Sequence, residues 1–350
     1  MKNYKLLTPG PLTTTDTVKG EMMFDHCTWD DDYKQITQEI RKELLKLAHV
    51  SEEEYTAVLM QGSGTFGVES VLTSVTGPED KLLVVANGAY GGRMGEIAEH
   101  AGIPHEIYRE RFDRVPDASV IAGWLDSDPA ITHVSMVHSE TTSGILNDIE
   151  AVGKAVKERN RVFIVDAMSS FGGIDIPLED NHIDFMISSA NKCIQGVPGF
   201  SFILARTAAL EASRGNARSL SLDIYDQWKT MNKDGKWRFT SPTHTVLAFS
   251  KALDELEELA DTAGATAIGR LVQNREKIHP GTYLGSGKIG ELREMVWEMG
   301  ATGVICDDEL SPAQLRNLES ALDTKVMDRT MVILDIFAAH ATTSEGKIPG

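Results

Sequence analysis

Lys192 closes the run Ser188-Ser189-Ala190-Asn191-Lys192, just before the tight loop Gln195-Gly196-Val197-Pro198-Gly199. A lysine in that setting differs from the lysines of a solvated helix face, because the residues before it are of buried-strand type. One strand–helix–strand step earlier, Asp166 ends the apolar run Val162-Phe163-Ile164-Val165-Asp166. A carboxylate at the end of such a strand is costly unless something pairs with it, although it also serves simply to cap a turn. A third feature is Gln61-Gly62-Ser63-Gly64-Thr65, between a strand and a helix. Small residues there let backbone N–H groups and hydroxyls meet a phosphate at the positive helix end, though a Gly-rich turn is often no more than a turn. Tyr90, in Asn87-Gly88-Ala89-Tyr90-Gly91, lies at another strand end and fits either a ring stacked on a ligand or a half-buried core tyrosine.

Together these are the parts of a pyridoxal phosphate site. The lysine amine forms a Schiff base, the aspartate pairs with the pyridinium nitrogen, and a helix N-terminus holds the phosphate. A protonated ring nitrogen makes the ring an electron sink, and the released lysine carries a proton between substrate carbon and cofactor carbon.

The elements that must place these groups are visible as alternating patterns. Strands are expected at Tyr55–Gln61, Lys81–Asn87, His105–Tyr108, His133–Ser139, Val162–Met168, Asp184–Ala190 and Phe200–Ala205. Most are continuously apolar, as in strands buried on both faces. Helices are expected between them, including Gly92–Ala101 and Asp148–Arg159, with an earlier one around Ile36–Ala48 after an extended arm, Leu7-Thr8-Pro9-Gly10-Pro11-Leu12. Such alternation predicts an α/β fold with a mostly parallel sheet wrapped by helices, and ligands in such sheets sit beyond the carboxyl ends of the strands. Leu253–Ala260 reads as a helix, and a second, smaller alternating pattern follows it. There, strands are expected at Ala267–Gln273, Gly303–Cys306 and Lys325–Met327, and helices near Lys288–Met299, Ser311–Leu322 and Val332–Ala339. Ser311 followed by Pro312 is a strong helix start.

Residues 1–252 closely resemble the 2-aminoethylphosphonate–pyruvate transaminases, class V enzymes of the fold type I pyridoxal-phosphate transferases. The runs that carry the likeness include Leu6-Leu7-Thr8-Pro9-Gly10-Pro11-Leu12, Cys27-Thr28-Trp29-Asp30-Asp31-Asp32-Tyr33, Gln61-Gly62-Ser63-Gly64 and Val137-His138-Ser139-Glu140-Thr141-Thr142. Val165-Asp166-Ala167-Met168-Ser169-Ser170-Phe171-Gly172-Gly173, the Lys192 run and Gly235-Lys236-Trp237-Arg238-Phe239-Thr240-Ser241-Pro242-Thr243-His244-Thr245 complete it. The resemblance implies a fold type I large domain with a seven-stranded, mostly parallel sheet. It implies Lys192 as the Schiff-base lysine and Asp166 as the pyridinium partner. It further implies phosphate contacts from Ser63, Gly64 and Thr65, with Tyr90 against the ring and Thr141 near the ring hydroxyl. Thr240 and Thr243 match a segment that reaches the partner subunit's cofactor phosphate, so a homodimer is implied. Arg41 matches an arginine that faces the substrate anion, while its setting in Ile40-Arg41-Lys42-Glu43 equally suits a solvated helix face.

The likeness ends near residue 250, where family members continue into a C-terminal small domain that supplies a substrate arginine. Residues from about 256 to 347 instead resemble the N-terminal domain of HflX-type ribosome-associated GTPases. The runs are Gly269-Arg270-Leu271-Val272-Gln273, Thr282-Tyr283-Leu284-Gly285-Ser286-Gly287-Lys288 and Asp307 through Glu319, with Asp328-Arg329-Thr330 and Ile333-Leu334-Asp335-Ile336-Phe337-Ala338 beyond. No G-x-x-x-x-G-K-[ST] occurs, so nucleotide binding is not expected. The implied organisation is a transferase large domain over 1–252 joined to a separate α/β module over 253–350. A lost substrate arginine would remove charge-assisted bonds worth about 1.5–3 kcal/mol each. Cofactor ligands lie in the retained part.

Composition narrows the remaining classes. The 350 residues carry 34 basic and 52 acidic side chains, a formal net charge of −18, which argues against a broad nucleic-acid or anionic-membrane footprint. The tail is acidic too, which argues against RNA contact even where its likeness suggests a ribosome. Cys27, Cys193 and Cys306 have no C-x-x-C spacing, so neither a disulfide framework nor a zinc site is expected. No signal peptide or membrane span is expected, and a cytoplasmic enzyme is. The function that follows is transfer of the amino group of 2-aminoethylphosphonate to pyruvate, giving phosphonoacetaldehyde and L-alanine. The alternatives are another class V enzyme of the alanine–glyoxylate type, or a non-catalytic fusion carrying a ribosome-associated module. No cysteine sits in a recognisable mobile loop, so a cysteine desulfurase fits less well.

Overall fold

A computed structural model describes residues 6, 8–257, 279, 281–298, 300–306 and 310–328. It divides into two compact units, Met1–Leu253 and Asp254–Gly350.

The first unit is built on one seven-stranded sheet. Its strands are β1 (Tyr55–Gln61), β2 (Lys81–Ala86), β3 (His105–Arg109), β4 (Ile131–Val137), β7 (Val162–Asp166), β8 (Phe185–Ser189) and β9 (Phe200–Arg206). Between β4 and β7 lies a small hairpin of β5 (Ser139–Glu140) and β6 (Ile145–Leu146). The sheet order is β1-β9-β8-β7-β4-β2-β3. Neighbours from β8 through β3 run parallel, and β9 runs antiparallel to both β1 and β8. The fold is therefore the mostly parallel α/β sheet expected from the alternating pattern. Residues of β7 and β8 such as Phe163, Ile164, Met186 and Ile187 are fully buried, which explains why these strands read as unbroken apolar runs.

The helices that begin in this unit are α1 (Asp16–Gly20), α2 (Asp31–Leu47), α3 (Gly64–Val75), α4 (Ala89–His100), α5 (Ala118–Ser127), α6 (Ile149–Lys157), α7 (Thr207–Ala212), α8 (Ile224–Asp234) and α9 (Thr243–Glu257). Helix α3 follows β1 and α4 follows β2, so both begin at carboxyl ends of strands. Helix α2 starts five residues before the expected Ile36, because Asp30 takes the extended N-cap conformation and Asp31 and Asp32 fill the first turn. Helix α8 was not expected from the pattern. Its boundaries are nevertheless local, with Asp223 accepting from Asp226 N–H at the start and Gly235 closing it at φ 87°. Residues 258–260 of the expected Leu253–Ala260 helix lie outside the described residues.

The second unit contains α10 (Ser286–Glu298), β10 (Gly303–Cys306), α11 (Pro312–Leu322) and β11 (Lys325–Asp328). Strands β10 and β11 pair in parallel. Ser311 and Gln314 form a reciprocal capping box at the start of α11, the helix start expected from Ser311-Pro312. Leu284, Leu310, Leu318, Leu322 and Val326 make its core. The expected strand Ala267–Gln273 and helix Val332–Ala339 lie outside the described residues. Among the described residues, no helix is long and apolar enough to cross a membrane.

Candidate active site

A cavity of about 220 Å³ opens beyond the carboxyl ends of the sheet strands. Lys192, Asp166, Ser63, Gly64, Thr65, Tyr90 and Thr141 all line it. These residues come from five separate stretches of sequence. The sheet gathers them, because parallel strands deliver their carboxyl ends to one edge.

Asp166 ends β7 and is 4% exposed. Its Oδ1 accepts the N–H of Met168 at 2.9 Å. Burial pushes its carboxyl up to about 6, and the nearby Glu140 adds to this, while the Met168 N–H, Lys192 and Arg93 pull the other way. A cation brought beside this carboxyl would favour its ionised form. Strand β8 pairs with β7 through Asp166 and Ile187, and Lys192 follows three residues after the end of β8. Both groups thus stand on adjacent strand ends, as the spacing predicted. The Lys192 amine makes no hydrogen bond or ion pair with any described residue. The arm packs against its stem: a Cβ on Gly10 would overlap Lys192 Cδ and stand 3.0 Å from the Asn191 carbonyl oxygen.

The turn into α3 is shaped for an oxyanion. Ser63 is the N-cap residue yet makes no side-chain cap hydrogen bond, which leaves the first N–H groups of α3 to a ligand. Gly62 has φ +109°, open to glycine but strained for other residues. A Cβ on Gly64 would stand 2.6 Å from the Met168 sulfur, so the backbone here passes too close for a side chain. Thr141 Oγ1 and Ser169 Oγ, both on the cavity wall, are 2.6 Å apart.

Arg93 is a cavity residue that the sequence reading passed over. It lies on α4 three residues after Tyr90, hence on the same helix face. Its guanidinium stands 4.9 Å from the Tyr90 ring centroid and donates to Thr65 Oγ1 at 3.4 Å. No carboxylate pairs with it among the described residues. The i, i+3 spacing from Tyr90 was the available signal.

Arg41 is placed elsewhere, and the expectation that it faces a substrate is corrected. It is 6% exposed and absent from the cavity wall. Its Nε donates to the Ala57 carbonyl at 2.7 Å, Nη1 to Gln38 Oε1 and the Met231 carbonyl, and Nη2 to Thr56 Oγ1 and Asn232 Oδ1. A guanidinium has five N–H donors, and here each has an acceptor within the chain. Arg41 is therefore a clamp between α2, β1 and α8. Thr240 and Thr243 also lie outside the cavity wall of their own chain. The Thr240 carbonyl accepts from Gln61 Nε2 at 3.1 Å, and Thr243 Oγ1 lies 3.5 Å from His244 Nδ1.

The family model described as aminotransferase class-V matches residues 23–277. The chain belongs to this family. A second model, described as GTP-binding GTPase N-terminal, matches residues 250–338 and overlaps the end of the first. Among curated relatives, the 2-aminoethylphosphonate–pyruvate transaminase of Lysinibacillus sphaericus is 61% identical over 258 residues, which cover 74% of this chain and 70% of that one. The enzyme of the same name from Salmonella paratyphi C is 54% identical over 278 residues, 79% of this chain and 75% of that one. The solved aspartate aminotransferase of Thermus thermophilus aligns with TM-score 0.66 at 25% identity, over 75% of each chain. The pyridoxamine–pyruvate aminotransferase of Mesorhizobium loti aligns with TM-score 0.67 at 24% identity, over 75% of this chain and 70% of that one, and shares the fold.

As a class-V aminotransferase the chain uses pyridoxal 5′-phosphate, and the cavity fits it. An unpaired amine, a buried carboxyl, an uncapped helix start crowded against side-chain growth at Gly64, and an aromatic ring all meet there.

Proposed function

We propose that this class-V enzyme moves the amino group of 2-aminoethylphosphonate to pyruvate, giving phosphonoacetaldehyde and L-alanine. The observation that carries the reading is the single cavity in which Lys192, Asp166, the Ser63–Thr65 turn and Arg93 converge. The identity of 54–61% to transaminases of that name supports the choice of substrate.

The chain's own residues divide the work. Pyridoxal phosphate, when bound, supplies a ring that takes up the negative charge developing on the substrate carbon. Ser63, Gly64 and Thr65 would hold its phosphate at the α3 N-terminus, with Tyr90 against the ring and Thr141 near the ring hydroxyl. Asp166 would keep a proton on the ring nitrogen. Lys192 would anchor the cofactor and, when free, carry the proton between carbon centres. Arg93 offers a guanidinium to the phosphonate, a match of planar donors to a tetrahedral oxyanion. A second copy of the chain completes the phosphate site through Thr240 and Thr243, in a cytoplasmic homodimer.

The test is a coupled assay on purified protein. Bound cofactor should give visible absorption that Lys192→Ala loses, and alanine should form from 2-aminoethylphosphonate and pyruvate. Absorption without alanine would overturn the reading in favour of a cofactor-binding fusion that does not turn over.

A further inference from the structure

Glu140 is fully buried, carries a carboxyl, and pairs with no cation among the described residues. A carboxylate in that position is costly unless strong donors surround it. The donors come from the first turn of α4. Glu140 Oε2 accepts the N–H of Tyr90 at 3.2 Å and that of Gly91 at 3.1 Å. Oε1 accepts the Thr142 hydroxyl at 2.6 Å and the Thr142 N–H at 3.3 Å. The Thr142 hydroxyl in turn accepts the N–H of Ala89 at 3.1 Å. The first intrahelical bond of α4 is that of Gly92 N–H to the Gly88 carbonyl.

All three leading N–H groups of α4 are thus satisfied by a segment some fifty residues away in sequence. An ordinary N-cap side chain would do this from the preceding residue. Here that residue is Gly88, and it has no room for a side chain: a Cβ would overlap Cγ and Cδ of Glu140. The carboxylate also lies at the positive end of the helix, where negative charge is favoured.

What α4 carries gives this cap its consequence. Tyr90 and Arg93 project from its first turns into the cavity. We propose that Glu140 is a positioning residue: together with Thr142 it fixes the start of α4 and so sets the Tyr90 ring and the Arg93 guanidinium against the bound cofactor. This rests on the reading that the cavity holds pyridoxal phosphate with Tyr90 on its ring.

Glu140→Gln keeps the shape of the side chain but turns one acceptor into a donor, aimed at N–H groups that are donors too. The measurement is the cofactor dissociation constant, with the visible circular dichroism of the bound cofactor, well below each variant's melting midpoint. Wild type, Glu140→Gln, Tyr90→Leu and the double variant complete a cycle. Glu140→Gln should weaken cofactor binding roughly 10-fold, since it strands buried donors, and should reduce the dichroism. In the Tyr90→Leu background the same substitution should cost at least about threefold less, because the ring it positioned is gone. A purely structural Glu140 would lower the melting midpoint and leave the dissociation constant within twofold. That result, or penalties that simply multiply, overturns the proposal. Should Glu140→Gln not fold, Thr142→Val removes the acceptor for Ala89 N–H and the hydroxyl that donates to Glu140 Oε1, while leaving the carboxyl in place, and is read in the same cycle, with a few-fold effect expected. A wild-type chain that binds no cofactor overturns both readings. One that binds it while Glu140→Gln binds equally well overturns only the role of Glu140.

Discussion

Gly10, in the N-terminal arm, lies against the aliphatic stem of Lys192. An added Cβ would overlap Lys192 Cδ and come within 3.1 Å of Cε. The arm therefore packs against the stem that carries the amine. Gly10→Ala should force the stem aside, at the cost of about 1–3 kcal/mol typical of overpacking, concentrated at the lysine rather than in the core. The expected outcome is a fall of roughly tenfold or more in alanine formation, with a melting midpoint lowered by several degrees, since Gly10 also has φ +151°. Equal turnover in Gly10→Ala would show that the arm does not aim Lys192.

Asp166 should make the cofactor-free chain less stable, not more. Its carboxyl is pushed from 3.8 to about 6 by burial above all. Below about pH 3 it is neutral in folded and unfolded chains alike. Above about pH 6 it is ionised in both, and only the folded chain bears the desolvation. Asp166→Asn should therefore match wild type near pH 3 and become the more stable protein as pH rises, by roughly 3 kcal/mol at most at neutral pH. Denaturant titrations of both cofactor-free proteins at several pH values check the difference, so other groups such as His138, which burial lowers to about 4, cancel. A gap that does not widen between pH 4 and 7 contradicts the assignment.

Arg93 is the cavity guanidinium without a carboxylate partner among the described residues. If it receives the phosphonate, Arg93→Met should raise KM for 2-aminoethylphosphonate roughly 10- to 100-fold, the worth of a charge-assisted bond. Arg93→Lys should recover part of this, because a point charge keeps the attraction but loses the planar match. Steady-state kinetics with saturating cofactor decide it, and an unchanged KM in Arg93→Met removes the residue from substrate binding.

Arg41 gives the opposite signature. Arg41→Met would leave the Ala57 and Met231 carbonyls and the Thr56, Gln38 and Asn232 side chains short of a donor. Stability should fall by about 2–4 kcal/mol while KM for either substrate stays within twofold. A large KM effect with unchanged stability would return Arg41 to the substrate.

Much of the site was legible in the chain itself. Lys192, Asp166 and Ser63–Thr65 sit at strand ends, and a strand end is set by local pattern: a buried apolar run, then a turn. In a mostly parallel sheet those ends share one edge, so reading the strands already brought the residues together. The helix start at Ser311-Pro312 was local in the same sense.

What the sequence could not supply was the partner of each polar side chain. Arg41, on a helix with a charged neighbourhood, read as a solvated or substrate-facing residue, and only the packing of α2 on β1 and α8 showed five acceptors waiting for its five donors. Glu140 read as one letter of a motif, until the hairpin holding it folded onto the start of α4. A hydrogen bond between residues fifty or two hundred positions apart leaves no periodicity in sequence. Whether a charge is spent inside the protein or kept for a ligand is therefore decided by tertiary contact.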